Sequence, residues 1–457
     1  MLLGKRFESF IKSSPVSVMI QGTLERMVAA ADLDQLFEET AQVQYSKKLL
    51  FSQCVQIMSD VVFRVEPSIG AWYSEHGDTL DVTLKAVYPK MQGIEPHVSA
   101  AMVRATANEL ADARRQMGSL PRPLLSGYRV RVLDGTHLAG THHHIFELRR
   151  RAAAALPGQA LLMYDPRLDM IDEVVPCEDA YTQERTLCQH VLDLVARRDV
   201  LVADSAYCTT TFLFGLAARD AFFVVRQHQL NVRWETAGCR RRAGTDEHGR
   251  TVYEQPVRLI HPETGEVIEA RRISVALKKP DKNDNTELNV LTNVPSVDAD
   301  AVKILSLYAD RWTIETAIQH LKGDLRCEID TLGYPKAALF GMCVALMAYN
   351  MVSLVKGALR AIWGREFVEE KLSMYYLTLN VSKVTAGMLI AIPEKDWTIF
   401  RTMSTAEFAA TLLELAHHLP THKYQKRKRS PKKKQPKKII DKKHLHHSTA
   451  RLIAMRQ

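Results

Sequence analysis

The run Tyr308-Ala-Asp-Arg311-Trp-Thr-Ile-Glu315-Thr-Ala-Ile-Gln-His-Leu-Lys322 contains neither proline nor glycine and reads as helix. At about 100° per residue, Tyr308, Arg311, Glu315 and Lys322 fall within roughly 60° of one another. Ile314, Ala317, Ile318, Leu321 and Leu325 occupy the adjacent face, which anchors such a helix in a core. The polar stripe then borders a cleft, where a carboxylate flanked by two cations and a phenol suits phosphates and a metal ion. Taken alone, Arg311 and Glu315 also fit an ordinary helix ion pair, and Lys322 a solvated side chain.

Two aspartates upstream tip the balance. Asp134 closes Tyr128-Arg-Val-Arg-Val-Leu-Asp134, where Val130 and Val132 alternate with Arg129 and Arg131 in a strand pattern. Asp204 closes Asp199-Val-Leu-Val-Ala-Asp204, apolar without alternation, as in a strand covered on both faces. Ligands of α/β folds bind at such strand ends. Each aspartate also has a plainer reading: Asp134-Gly135 as a hairpin turn, Asp204 as the cap of a helix starting near Thr209. Three carboxylates brought together repel unless a cation joins them. Hard oxygen ligands in an open arrangement select Mg²⁺ or Mn²⁺. Two such ions about 4 Å apart clamp the attacking and leaving oxygens of an in-line phosphoryl displacement.

These residues carry a resemblance. The chain resembles the DDE transposases of bacterial insertion sequences, the broad family named after insertion sequence four. Its Tyr, Arg, Glu, Lys signature matches Tyr308, Arg311, Glu315 and Lys322 without a gap. The family's first aspartate matches Asp134-Gly135-Thr136, its second Ala203-Asp204, and the likeness spans roughly residues 30–365. The resemblance implies a ribonuclease H-like catalytic core. It implies metal ligation by Asp134, Asp204 and Glu315, and phosphate contacts from Tyr308, Arg311 and Lys322.

The order of elements is compatible. Strands are expected at Ala160–Tyr164 and Met170–Val175, a helix over Glu184–Arg198, another over Thr209–Arg219, and a strand over Ala221–Arg226. Roughly residues 228–300 are polar, rich in arginine and hairpin-like over Thr251–Ile260 and Glu266–Leu277, and read as a β-rich inserted subdomain. In the resembling family such an insert carries a tryptophan that supports an unpaired base, and Trp234 is the one tryptophan here; packing inside the insert is the equal alternative. Arg240, Arg241 and Arg242 are candidate contacts to backbone phosphate, or simply an exposed loop.

The length of 457 residues suits several domains. The expected division is a helical, DNA-binding region over 1–120, the core over 121–227 and 301–365, the insert over 228–300, a helical C-terminal region over 366–420 and a basic tail over 421–457. Residues 337–355 carry no charge and are long enough to span a bilayer, but Asn350, Ser353 and the position beside the catalytic helix favour a buried helix. No leader is expected, because Lys12 and Pro15 interrupt the N-terminal apolar run. The seven cysteines are scattered and suggest neither disulfides nor a zinc site. His142, His143 and His144 are consecutive, so they cannot readily ligate one ion together; His137 stands nearer the carboxylates.

Charge is unevenly placed. From residue 421 onward there are 14 Lys+Arg and one acid, Asp441, which leaves 47 basic and 51 acidic residues before it. The tail therefore carries the excess, and a polycation of this kind adds salt-sensitive, sequence-independent DNA affinity. The expected function is a DNA transposase, metal-dependent and joining element ends to target DNA. Its partners are DNA and a second copy of the chain, with no membrane and no small-molecule cofactor, and its setting is the bacterial cytoplasm at the nucleoid. The alternatives are a ribonuclease H-like nuclease without strand transfer and a transposase-derived DNA-binding protein that no longer catalyses.

Overall fold

The strand predicted to end at Asp204 runs through the middle of a ten-stranded sheet. The computed structural model describes residues 3–30, 33–44, 48–142, 145–150, 156–228, 230–280 and 284–427. His143, His144 and all of the basic tail beyond Arg427 lie outside these residues. The strands are β1 (Arg129–His137), β2 (Gln159–Asp165), β3 (Met170–Cys177), β4 (Asp199–Ala203), β5 (Phe222–Arg226), β6 (Trp234–Thr236), β7 (Arg241–Thr245), β8 (Thr251–Ile260), β9 (Val267–Ala276) and β10 (Glu287–Thr292). Their order is β3-β2-β1-β4-β5-β10-β9-β8-β6, with β7 also on β8.

Strands β1, β4 and β5 run parallel, while β2 is antiparallel to both β1 and β3. Alternate side chains of these strands enter two separate cores. Val130, Val132, Val200 and Val202 face one, whereas Leu133, Leu201, Ala203, Phe223 and Val225 face the other. Burial on both faces explains the absence of alternation in Asp199–Ala203. On the second face lie the helices Glu184–Leu192 and Thr210–Ala217, each supplying buried Leu and Phe or Val.

The first face is covered by the helices of both chain ends. The helix Pro335–Trp363 is the one described helix long and apolar enough to cross a membrane, yet it is almost wholly buried within the protein. Polar groups fix it to the sheet. Asn350 exchanges two hydrogen bonds with the backbone of Ile171, at 2.8 and 2.7 Å. Asp169, at the β2–β3 turn, accepts from Tyr349 and pairs with Lys356 and Arg360. Burial works against the Asp169 charge, but the two cations overcome it and hold the carboxyl at about 2. N- and C-terminal helices interlock beside it: Arg26 pairs with Glu109 at 2.6 Å and donates to the Met403 carbonyl, and the rings of Phe7 and Trp397 meet edge to face at 4.9 Å.

Two sequence expectations change. The β-rich stretch after β5 builds no sheet of its own. Strand β10 pairs with β5 over Val290–Thr292, and β9, β8 and β6 extend the same sheet outward. The run Tyr308–Lys322 is not one helix either. It divides into Ala301–Ala309 and Trp312–Gly323. At the join, Arg311, Thr313 and Ile314 donate to the carbonyls three residues back, at 3.0–3.2 Å, a tighter turn than the α-helix. Tyr308 thus lies in the last turn of the first helix, Arg311 stands at the cap of the second, and Glu315 and Lys322 belong to that second helix.

Candidate active site

Register brings the two aspartates together. The parallel ladder between β1 and β4 ends at Val132 opposite Val202. Asp134 and Asp204 each come two residues later, so both occupy the same side of neighbouring strands, at the point where the pair stops bonding. Asp134 is not in a turn. It lies inside β1, opposite Leu162 of β2, and its Oδ1 accepts from the Gly135 N–H at 3.0 Å. Asp204 follows β4 and caps the short turn Ser205–Tyr207 by accepting from the Ser205 N–H, not the helix beginning at Thr210.

The second helix brings Arg311 and Glu315 across this end. Its buried residues Ile314, Ala317 and Leu321 seat it on the core. The Arg311 guanidinium meets Glu315 at 3.0 Å and Asp134 at 3.7 Å. It lies 6.0 Å from the Tyr308 ring centroid. Burial opposes the Arg311 charge, but Tyr308, Asp204, Asp134 and Glu315 hold it above its ordinary range. Burial also raises the Tyr308 hydroxyl, and Asp204 adds to that. Arg311 is thus the cation that pairs with both Asp134 and Glu315, while Tyr308 also feels Arg226. Asp134 still carries strain: burial, with Glu184 and Glu315 nearby, lifts its carboxyl to about 6, against the Gly135 N–H and Arg311. Arg311 Nε is buried without a hydrogen-bond partner.

Lys322 reaches the last residue of β1. Its Nζ donates to the His137 carbonyl at 3.2 Å and pairs with Glu328 at 2.8 Å. The remaining candidates sit on the sheet extension. Trp234 is half-buried on β6 with Arg272 over its ring at 5.5 Å. Arg240 pairs with Glu287 at 2.7 Å and lies over Tyr253, Arg241 pairs with Glu254 at 3.2 Å, and Arg242 donates to Thr245. The three are exposed strand-edge residues engaged with neighbouring side chains.

Two residues at this end escaped the sequence reading. Trp312 is 63 % exposed, with Arg311 over its ring at 5.5 Å. Glu184 opens the Glu184–Leu192 helix and accepts from the Tyr207 hydroxyl at 2.9 Å. Trp312 had a signal, an aromatic off the apolar stripe of its helix. Glu184 had none, since acids are common in first helical turns.

Oxygen donors of Asp134, Asp204 and Glu315 suit a hard divalent cation. Among the described residues, the one group of three or more metal-type ligands within 4.8 Å of one another is elsewhere, at Glu66, Glu75 and His76. The strand-end carboxylates are spread wider, with the Arg311 guanidinium between Asp134 and Glu315.

Residues 125–351 match the family model described as the transposase DDE domain. No curated protein matches the chain. Among solved structures, a piggyBac transposase synaptic complex with hairpin DNA aligns over 85 % of this chain and 84 % of its own, with 9 % identity and a TM-score of 0.41. The stretch similar to the transposase DDE domain includes Asp134, Asp204 and Glu315.

Proposed function

We propose that this chain is the transposase of a bacterial insertion sequence, cutting DNA at the element's ends and joining the freed 3′ ends to target DNA. The observation that carries the proposal is the equivalent placement of Asp134 and Asp204 beyond the last β1–β4 pair, with Glu315 brought to them by Arg311. The strand order β3-β2-β1-β4-β5, with β2 alone reversed, supports a ribonuclease H-like reading of the core. The domain division of helical DNA-binding region, core, insert and tail belongs to the same proposal.

Asp134, Asp204 and Glu315 are the residues that would hold Mg²⁺ or Mn²⁺. Such ions, when bound, lower the pKa of water and stabilise the attacking and leaving oxygens of phosphoryl transfer. The remaining roles fall to this chain's own side chains. Arg311, beside Asp134 and Glu315, has an unpartnered Nε and a planar fork that suit a phosphate oxygen pair. Tyr308 borders the same space with a hydroxyl kept protonated, a donor to a non-bridging oxygen. Lys322, exposed at the end of β1, adds a point charge for the strand passing there. Trp234 and the Arg240–Arg242 edge extend the DNA path along the sheet, and two copies of the chain bring two ends together.

The test is an end-bearing DNA duplex with the full chain and Mn²⁺ or Mg²⁺, scored for 3′ nicks and for joined products. Both should appear, and both should vanish in Asp134→Ala, Asp204→Ala and Glu315→Ala. Nicks without joined products would leave a nuclease. Activity surviving in the variants would remove these residues from the chemistry.

A further inference from the structure

We infer that Glu184 is a fourth carboxylate of the metal-binding centre, admitted by the missing side chain of Gly135 and held by Tyr207. The inference rests on the metal-centre reading above and adds a ligand that the three-carboxylate signature does not contain.

Glu184 reaches both aspartate-bearing strand ends at once. A Cβ placed on Gly135 would stand 2.3 Å from Glu184 Oε1 and 2.4 Å from its carboxyl carbon. The carboxylate therefore rests directly on the backbone beside Asp134, in space that any other residue at 135 would fill. Its Oε2 accepts from the Tyr207 hydroxyl at 2.9 Å. Tyr207 is buried and lies in the turn that Asp204 caps. Glu184 itself is only half-buried. Tyr207 thus holds the whole carboxylate against the end of β1, with Oε2 2.7 Å from the same Cβ position.

Adjacent strand residues point to opposite faces. Asp134 faces the helix carrying Glu315, and position 135 faces the helix carrying Glu184. A carboxylate on the second face would ordinarily be screened from Asp134 by the strand and its side chains. Two features remove the screen: residue 135 has no side chain, and the β1–β4 ladder has already ended at Val132 and Val202. Glu184 is accordingly among the charges that burden Asp134. Bringing another acid to three acids is unfavourable without a counter-ion, and Arg311 touches Asp134 and Glu315 from the far face only. A divalent cation between the strand ends would relieve this crowding, with oxygen donors from both faces.

The test measures metal binding itself, by titrating full-length protein with Mn²⁺ and counting free ion by electron paramagnetic resonance, without DNA. Glu184→Gln keeps the shape and should weaken Mn²⁺ binding about tenfold or more, the size expected when a ligand or its support is lost. Gly135→Ala should weaken it similarly by displacing the carboxylate, and Tyr207→Phe by a smaller factor. Metal-free Glu184→Gln should melt no lower than wild type, which separates lost ligation from lost folding. If Glu184→Gln binds Mn²⁺ like wild type while Asp204→Asn does not, Glu184 is no ligand and the three-carboxylate centre stands. If wild type itself binds no Mn²⁺, or the Asp204→Asn and Glu315→Gln variants bind unchanged, the underlying reading fails and takes this one with it.

Discussion

Replacing Asp134 by asparagine should make the metal-free protein more stable at pH 8, although it removes a central residue of the site. The Asp134 carboxyl is lifted from 3.8 to about 6, chiefly by burial, with Glu184 and Glu315 adding to it. A raised folded-state pKa means that the folded protein holds this proton better than the unfolded chain does. The protonated form therefore favours folding at low pH, and that advantage is lost as pH rises through about 6. At about 1.4 kcal/mol per pKa unit, the ionised carboxylate costs about 3 kcal/mol at pH 8. Asparagine avoids the charge while keeping an Oδ1 to accept from the Gly135 N–H, and Arg311 retains Glu315 at 3.0 Å. Urea denaturation in EDTA should show Asp134→Asn ahead by up to about 3 kcal/mol at pH 8, with the gap closing by pH 4. Added Mn²⁺ should then raise wild type much more than the variant. A variant equal to or weaker than wild type at pH 8 would refute the argument that burial and like charge load this strand end.

Asp169 should behave oppositely. Its carboxyl is held at about 2, so its contribution is complete above about pH 4 and fades only as pH falls towards 2. Asp169→Asn strips Lys356 and Arg360 of a buried partner and should cost about 3–5 kcal/mol at neutral pH by urea denaturation. Trp234→Ala should lower stability as well as end-DNA affinity, because the ring is half-buried under Arg272; a loss of affinity alone would assign it wholly to DNA. Trp312→Ala, by contrast, removes a ring 63 % exposed and should leave stability within about 0.5 kcal/mol. Truncation after Arg427 should weaken binding to unrelated DNA and flatten its dependence on salt, read from affinities between low and physiological ionic strength.

The core strands and helices were legible because their apolar patterns are local and strong. Asp199–Ala203 is uniformly apolar and central, and the uncharged run 337–355 is a buried helix. Proximity of Asp134 to Asp204 was legible only as two strand ends; the two-residue offset that aligns them depends on register between distant segments. The break before Trp312 left no mark, because Asp310 and Arg311 keep right-handed helical angles and only the hydrogen-bond spacing tightens. The insert looked self-contained because its hairpin is local, whereas the pairing of β10 with β5 is not. Glu184 was invisible because its meaning comes from a glycine forty-nine positions away in the chain.

The recognised segment stops at residue 351, inside the helix that runs on to Trp363. A boundary that evolution's records suggest is therefore not one along which the molecule can be cut. Expressing 125–351 alone would amputate the last three turns of that rod and strip the rest of its wrapping, baring a greasy cylinder to water. Such a fragment should precipitate or recruit chaperones, however intact its acidic corner. Dissection of this protein is better attempted by point substitution than by scissors.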